Sequence, residues 1–137
     1  MWVAASTDGN IMRSADDGLT WNIVFTAAVN FQSIAATDGY FMAVCDNGAV
    51  YTSSDAGLSW LPQTTLSGQY YESITGYNGK FYVSDSDKLA TSTAWTGDNG
   101  ATWNYEDTPT GAYWNNLSTD GTNLVCVGNI GAMSHVI

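Results

Sequence analysis

Few side chains in this 137-residue chain could carry chemistry, and their types narrow what that chemistry could be. Arg13 is the single arginine, His135 the single histidine, and Glu72 and Glu106 are the only glutamates. Glycoside cleavage requires two carboxyl groups facing each other across a scissile bond. Glu72 and Glu106 make an unconvincing pair, because Glu72 falls in a repeated slot with Gln32 and Asn115 and is expected to line a channel. One guanidinium cannot build the bidentate cluster that grips an anionic substrate, and Lys80 and Lys88 are poor substitutes. His135 has no nucleophile at a spacing that suggests a triad. Asp85-Ser86-Asp87 offers two carboxylates, short of the roughly six to eight oxygens that calcium takes. No glycine-rich phosphate loop is present. The expectation is a chain without catalytic residues, metal or cofactor.

The residues that do recur are structural in type. Ser14-Ala15-Asp16-Asp17-Gly18-Leu19-Thr20-Trp21, Ser53-Ser54-Asp55-Ala56-Gly57-Leu58-Ser59-Trp60 and Thr96-Gly97-Asp98-Asn99-Gly100-Ala101-Thr102-Trp103 reduce to Ser/Thr-x-Asp-x-Gly-x-Ser/Thr-Trp. Asp can accept hydrogen bonds from the amides of its own turn, Gly can take the positive φ that closes it, and Trp can bury a large ring against a sheet. Asp16, Asp55 and Asp98 are therefore expected to hold turns, with Trp21, Trp60 and Trp103 in equivalent, mostly buried places. The spacing of 39 and then 43 residues suits one four-stranded propeller blade per copy.

The pattern resembles the Asp-box, or BNR repeat. That resemblance implies a β-propeller with the turns between the third and fourth strands of each blade, on the outer rim away from the binding face. The best-known enzymes of this type, the sialidases, use three arginines, a Tyr nucleophile with a Glu partner and an Asp acid/base. With Arg13 alone, the resemblance is sialidase-like in fold only.

The rest of each repeat aligns around these turns. Phe31-Gln32-Ser33-Ile34, Tyr71-Glu72-Ser73-Ile74 and Trp114-Asn115-Asn116-Leu117 share one slot, followed by Asp38-Gly39, Asn78-Gly79 or Asp120-Gly121, which read as hairpin turns. The next strand is Trp2 to Ala5, Phe41 to Val44, Phe81 to Val83 or Leu124 to Val127. The predicted fold is all-β: one domain over 1–137 with about four four-stranded repeats near 1–30, 31–70, 71–113 and 114–137. Labelled A to D, the strands read BCD, ABCD, ABCD, ABC, two complete repeats and two incomplete. Val136 falls where a fourth turn motif would start, so both terminal units are expected to leave strand edges covered by a neighbouring chain or by each other, with a partner chain favoured over ring closure within the chain.

With 45% hydrophobic residues, 6 Trp, 8 Tyr and 4 Phe, the chain can build a core without metal or disulfide staples. Cys45 and Cys126 sit in equivalent strands but out of register, and are expected as buried thiols rather than a bridge. A net charge of -10 disfavours nucleic acid and anionic membranes as partners. No apolar run approaches the length of a membrane helix, and Met1-Trp2-Val3-Ala4-Ala5 lacks the features of a signal peptide.

A binding or assembly surface remains. Trp95, Tyr70, Glu72, Tyr77 and Tyr113 are the candidate binding residues, because aromatics among Gln, Asn and Ser suit sugar stacking or a protein interface. Trp95 is singled out as lying in the insertion Thr93 to Thr96 that lengthens the third repeat. The expected function is a non-enzymatic structural or recognition module, a tail- or capsid-associated phage virion protein that mediates assembly or host-surface binding. Its partners would be other chains completing the terminal blades, in a homo-oligomer or virion, and surface glycans. A carbohydrate-binding propeller module of a secreted or surface protein is the alternative, and a glycoside hydrolase is third.

Overall fold

The computed structural model describes residues 1–63, 70–85, 92–96, 100–107, 114–128 and 133–135. Short alternating segments rich in Val, Ile, Tyr, Phe and Thr, punctuated by Gly, Asp and Asn, form strands and no helix among these residues. Four small antiparallel meanders follow one another along the chain. The first contains β1 (Trp2–Ala5), β2 (Asn10–Ser14) and β3 (Asn22–Thr26). The second contains β4 (Phe31–Thr37), β5 (Tyr40–Cys45), β6 (Val50–Ser53) and β7 (Leu61–Pro62). The third contains β8 (Tyr71–Tyr77), β9 (Lys80–Asp85), β10 (Ser92–Thr96) and β11 (Asn104–Asp107). The fourth contains β12 (Trp114–Thr119), β13 (Leu124–Gly128) and β14 (Met133–His135). This is the propeller arrangement, with two four-stranded and two three-stranded sheets.

The sheets pack in chain order, β1 on β4, β4 on β8 and β8 on β12. Among the described residues no comparable packing joins the first sheet to the fourth. Each joint has its own core. Ile11, Phe31, Ala43, Cys45 and Trp60 fill the first, with Tyr51 wedged against Phe25 and Phe31 at 5.2 and 5.5 Å between ring centres. Met42, Val44, Val50, Tyr71, Ile74, Phe81 and Val83 fill the second, and Tyr77, Tyr82, Leu117, Leu124 and Cys126 the third. Cys45 and Cys126 are buried in separate clusters with no disulfide between them, and burial, reinforced by nearby Asp46, pushes the Cys45 thiol up to about 12.

Hairpin chemistry holds at two of the three expected turns. Asp38-Gly39 and Asn78-Gly79 both have two consecutive positive φ values, 47° and 83°, then 49° and 70°, which match the twist of the flanking strands. The third differs. Thr119 pairs with Leu124, so Asp120 to Asn123 form a four-residue loop, and the Asp120 carboxylate accepts from the amides of Thr122 (2.8 Å) and Asn123 (2.7 Å).

Candidate functional site

One hydrogen bond of the turn motif recurs in all three copies. The hydroxyl at its first position accepts from the glycine amide: Gly18 to Ser14 at 2.8 Å, Gly57 to Ser53 at 2.9 Å and Gly100 to Thr96 at 3.0 Å. Asp16 accepts from the Thr20 amide (2.9 Å) and hydroxyl (2.6 Å), and Ser14 donates to it at 2.8 Å. Asp55 repeats this with Ser59 at 2.9 and 2.6 Å and Ser53 at 2.8 Å. Asp98 lies outside the described residues. One feature was not legible in the pattern: the residue before the glycine is also left-handed, with φ of 59° at Asp17 and 61° at Ala56. Asp17 tolerates this at low cost, whereas Ala56 does so only because the surrounding bonds fix it.

Donors aimed at these carboxylates depress their pKa. Asp55 falls to about 2, chiefly through the Ser59 hydroxyl and then the Ser59 amide, and Asp16 falls to about 2 through the same pair from Thr20. Both lie below the ordinary value of 3.8, so their stabilisation is present above pH 3.8 and is lost as pH falls toward about 2. The expected result is a denaturant midpoint that declines across that window, with a shallower decline in Asp55→Asn. An unchanged slope in the variant would show that the turn carboxylate is not the titrating group.

The turns differ in what they touch. The second and third each reach back onto the preceding sheet. A Cβ on Gly57 would lie 2.8 Å from Val3 of β1, Arg13 Nε of β2 donates to the Ala56 carbonyl at 2.9 Å, and Trp60 is 4% exposed in the joint between the first two sheets. Gly100 approaches Met42 and Gln63 of the second sheet, and Trp103 packs on the second core, stacked on Tyr71 with 6.4 Å between ring centres. The first turn has no preceding sheet among the described residues. Nothing approaches the Cβ position of Gly18, and Trp21 is 42% exposed although its indole still donates to the Gly18 carbonyl at 3.1 Å. The expectation that all three tryptophans are mostly buried therefore fails at Trp21, because burial comes from the neighbouring sheet rather than from the turn itself.

The candidate binding residues scatter. Tyr70 is 60% exposed, and Glu72 is exposed at a β-bulge where Tyr71 pairs with Asp85 and Ser73 with Ser84. Gln32 and Asn115 occupy the same bulge in β4 and β12, so these three polar residues share one structural slot on the innermost strands, and all are exposed. Tyr77 is instead buried, and its hydroxyl donates to the Thr122 carbonyl of the next sheet. It is a clasp between sheets rather than part of an open binding surface. Tyr113 lies outside the described residues. Trp95 stands opposite Tyr82, the register held by Arg13 opposite Val3 and Thr52 opposite Met42. It therefore has repeat equivalents, and the extra residues of the third repeat fall between β9 and β10 rather than at Thr93 to Thr96.

A set of hydroxyls that motif reading missed joins the inner strands. Ser33 accepts from the Ile74 amide at 3.3 Å, Ser73 accepts from the Leu117 amide at 3.2 Å and donates to Asn116 at 2.8 Å, and Thr37 accepts from the Gly79 amide at 3.2 Å. The recurrence of Ser at the third place of the Phe31 and Tyr71 slots was the available signal. No group of three or more potential metal ligands exists among the described residues.

These features define a β-propeller. The fold matches YCF48 bound to a D1 peptide with a TM-score of 0.71 and 19% identity, over 93% of this chain and 44% of that one. It matches the computationally designed Ika4 protein with a TM-score of 0.74 and 10% identity, over 97% and 82%. The phage phi92 endosialidase matches with a TM-score of 0.57 and 18% identity, over 80% and 22%. The chain thus spans about half the length of YCF48 and about a fifth of the endosialidase, and at these identities the likeness concerns the fold. No protein-family model and no curated protein matches the sequence.

Proposed function

We propose that this chain is an Asp-box repeat propeller acting as a non-enzymatic structural and recognition module, associated with a phage virion and mediating assembly or host-surface contact. The observation that carries the reading is the open face of the first turn. Trp60 and Trp103 are covered by the preceding sheet, whereas Trp21 projects the same aromatic surface outward, which suits a further protein chain. In this reading the turn residues, Asp98 included, serve the scaffold. Arg13 is drawn into the scaffold as well, through Ala56, which leaves no arginine for an anionic substrate. A neighbouring propeller solved with a bound peptide supports protein partners, and a phage endosialidase among the neighbours supports the virion setting.

Light scattering during size-exclusion chromatography tests the proposal. The chain is expected to associate, alone or with virion proteins, and Trp21→Glu is expected to weaken that association while leaving thermal unfolding nearly unchanged. A chain that stays monomeric and binds no virion component would overturn it. No turnover of fluorogenic sialosides or aryl glycosides is expected, and turnover abolished by Glu72→Gln would make Glu72 a catalyst.

A carbohydrate-binding module of a secreted or surface protein is the second reading. A cleft of about 260 Å³ lined by Tyr40, Thr52, Ser54, Ser59, Leu61 and Gln63 favours it, since a partly exposed ring beside hydroxyls suits a sugar. Glycan binding lost in Tyr40→Ala would select this reading.

A further inference from the structure

The second and third turn motifs lean on equivalent places in the sheets behind them, but the space beside the contact is closed in one case and open in the other. Gly57 comes down on Val3 and Gly100 on Met42, two residues that share one register position. Their strand partners differ. Arg13 stands opposite Val3 and Asn22, and Thr52 stands opposite Met42 and Leu61, so arginine and threonine hold the same repeat place. Arg13 reaches across the first joint, its Nε donating to the Ala56 carbonyl at 2.9 Å and its Cδ 3.9 Å from the Cβ position of Gly57. Thr52 is several atoms too short for such a reach. Beside it lies the cleft of about 260 Å³ bounded also by Tyr40, Ser54, Ser59, Leu61 and Gln63. Its walls suit a cation. Ser54 and Ser59 supply hydroxyls, and Gln63, which donates through Nε2 to Thr52 at 2.8 Å, keeps its amide oxygen as an acceptor. Behind Ser59 stands the Asp55 carboxylate, accepting from that hydroxyl at 2.6 Å and kept ionised by the donors of its own turn. No Lys, Arg or His lines the cleft, in a chain of net charge -10. Tyr40, 39% exposed, offers a ring face at the mouth.

We propose that this cleft is a docking pocket for an arginine side chain of a partner protein, which takes in the second joint the place that Arg13 takes in the first. The proposal rests on the reading of the chain as a module for protein partners. Arginine fits better than lysine, because a planar guanidinium stacks on Tyr40 and spreads its donors over Ser54, Ser59 and Gln63, whereas an ammonium is a compact and strongly hydrated point charge. The negative field of the chain draws a basic segment toward the cleft. A sugar would use the same oxygens and ring but gains nothing from that field.

The probe is the capped tripeptide acetyl-Gly-Arg-Gly-amide, titrated into the intact chain and followed by amide chemical shifts. Its control is the citrulline analogue, which keeps the shape of the side chain and loses the charge. The amides of Tyr40, Ser54, Ser59 and Gln63 are expected to shift saturably, with about tenfold or more weaker binding of the citrulline peptide and affinity that falls as salt rises. Thr52→Arg should fill the cleft from within, as Arg13 fills the first joint, and abolish the shifts. Tyr40→Ala, at an exposed ring, should weaken binding with thermal unfolding close to that of the parent, and it carries the test if Thr52→Arg does not fold. No shift at the solubility limit of the peptide, equal binding of the citrulline peptide, or undiminished binding by the variants would overturn the proposal. Shifts of the same amides by N-acetylglucosamine or galactose and not by the arginine peptide would assign the cleft to glycans and overturn it too. If the peptide fails while association persists in light scattering, the pocket falls and the assembly reading stands; peptide binding by a chain that stays monomeric and captures no virion component overturns the assembly reading alone.

Discussion

Trp60→Ala is expected to lower stability by about 3–5 kcal/mol, enough to threaten folding of a small domain, while Trp21→Ala costs well under half as much. Both rings occupy the same place in the same turn, and both donate to the carbonyl of the turn glycine, at 3.3 Å for Trp60 and 3.1 Å for Trp21. They differ in surroundings. Trp60 is packed among Ile11, Phe31, Ala43 and Cys45 and meets the Phe41 ring edge-on at 6.5 Å, whereas Trp21 is 42% exposed. Truncating the first leaves a cavity between two sheets; truncating the second removes surface that water already reaches. Chemical denaturation of the two variants measures the contrast. Equal losses would mean that the tryptophan stabilises its own turn and that the preceding sheet contributes little.

Gly76→Ala is expected to cost about 3 kcal/mol, at the upper end for overpacking. Gly76 lies on the inner strand β8, where it passes close to β4, and an added Cβ would sit 2.3 Å from the Ala36 carbonyl oxygen and 2.8 Å from Thr37 Cβ. Backbone cannot move aside as a flexible side chain can, so the second and third sheets must separate and strain the Ser33–Ile74 and Thr37–Gly79 bonds. Gly39→Ala is the control. Its position has open space around it and a φ of 83°, so the penalty is limited to the backbone conformation, about 1 kcal/mol. A Gly76→Ala variant as stable as Gly39→Ala would show that the inner strands slide apart freely.

Much of this architecture was legible because the repeats report on one another. Three copies of an eight-residue pattern, with hairpin signals such as Asp38-Gly39 at matching offsets, are enough to divide the chain into sheets. What resisted reading was whatever depends on a neighbour. Trp21 and Trp60 are the same letter in the same pattern, and only the presence of a sheet behind the turn separates them. Tyr77 carries no mark distinguishing a clasp on Thr122 from an open aromatic site. Trp95 looked unique because the longer third repeat was divided at the wrong point, and pairing with Tyr82 restores its place.

Every turn motif that has a sheet behind it leans on that sheet and not on the one ahead, so the array has a polarity that its near-identical units do not suggest. A lesion in the third turn should loosen the second sheet, where Gly100 and Trp103 rest, before it disturbs the fourth. Coupling between nearest neighbours makes such disturbances fade over one or two units. The molecule therefore resembles a row of overlapping roof tiles, in which lifting one exposes the tile beneath its lip and leaves those on the other side seated.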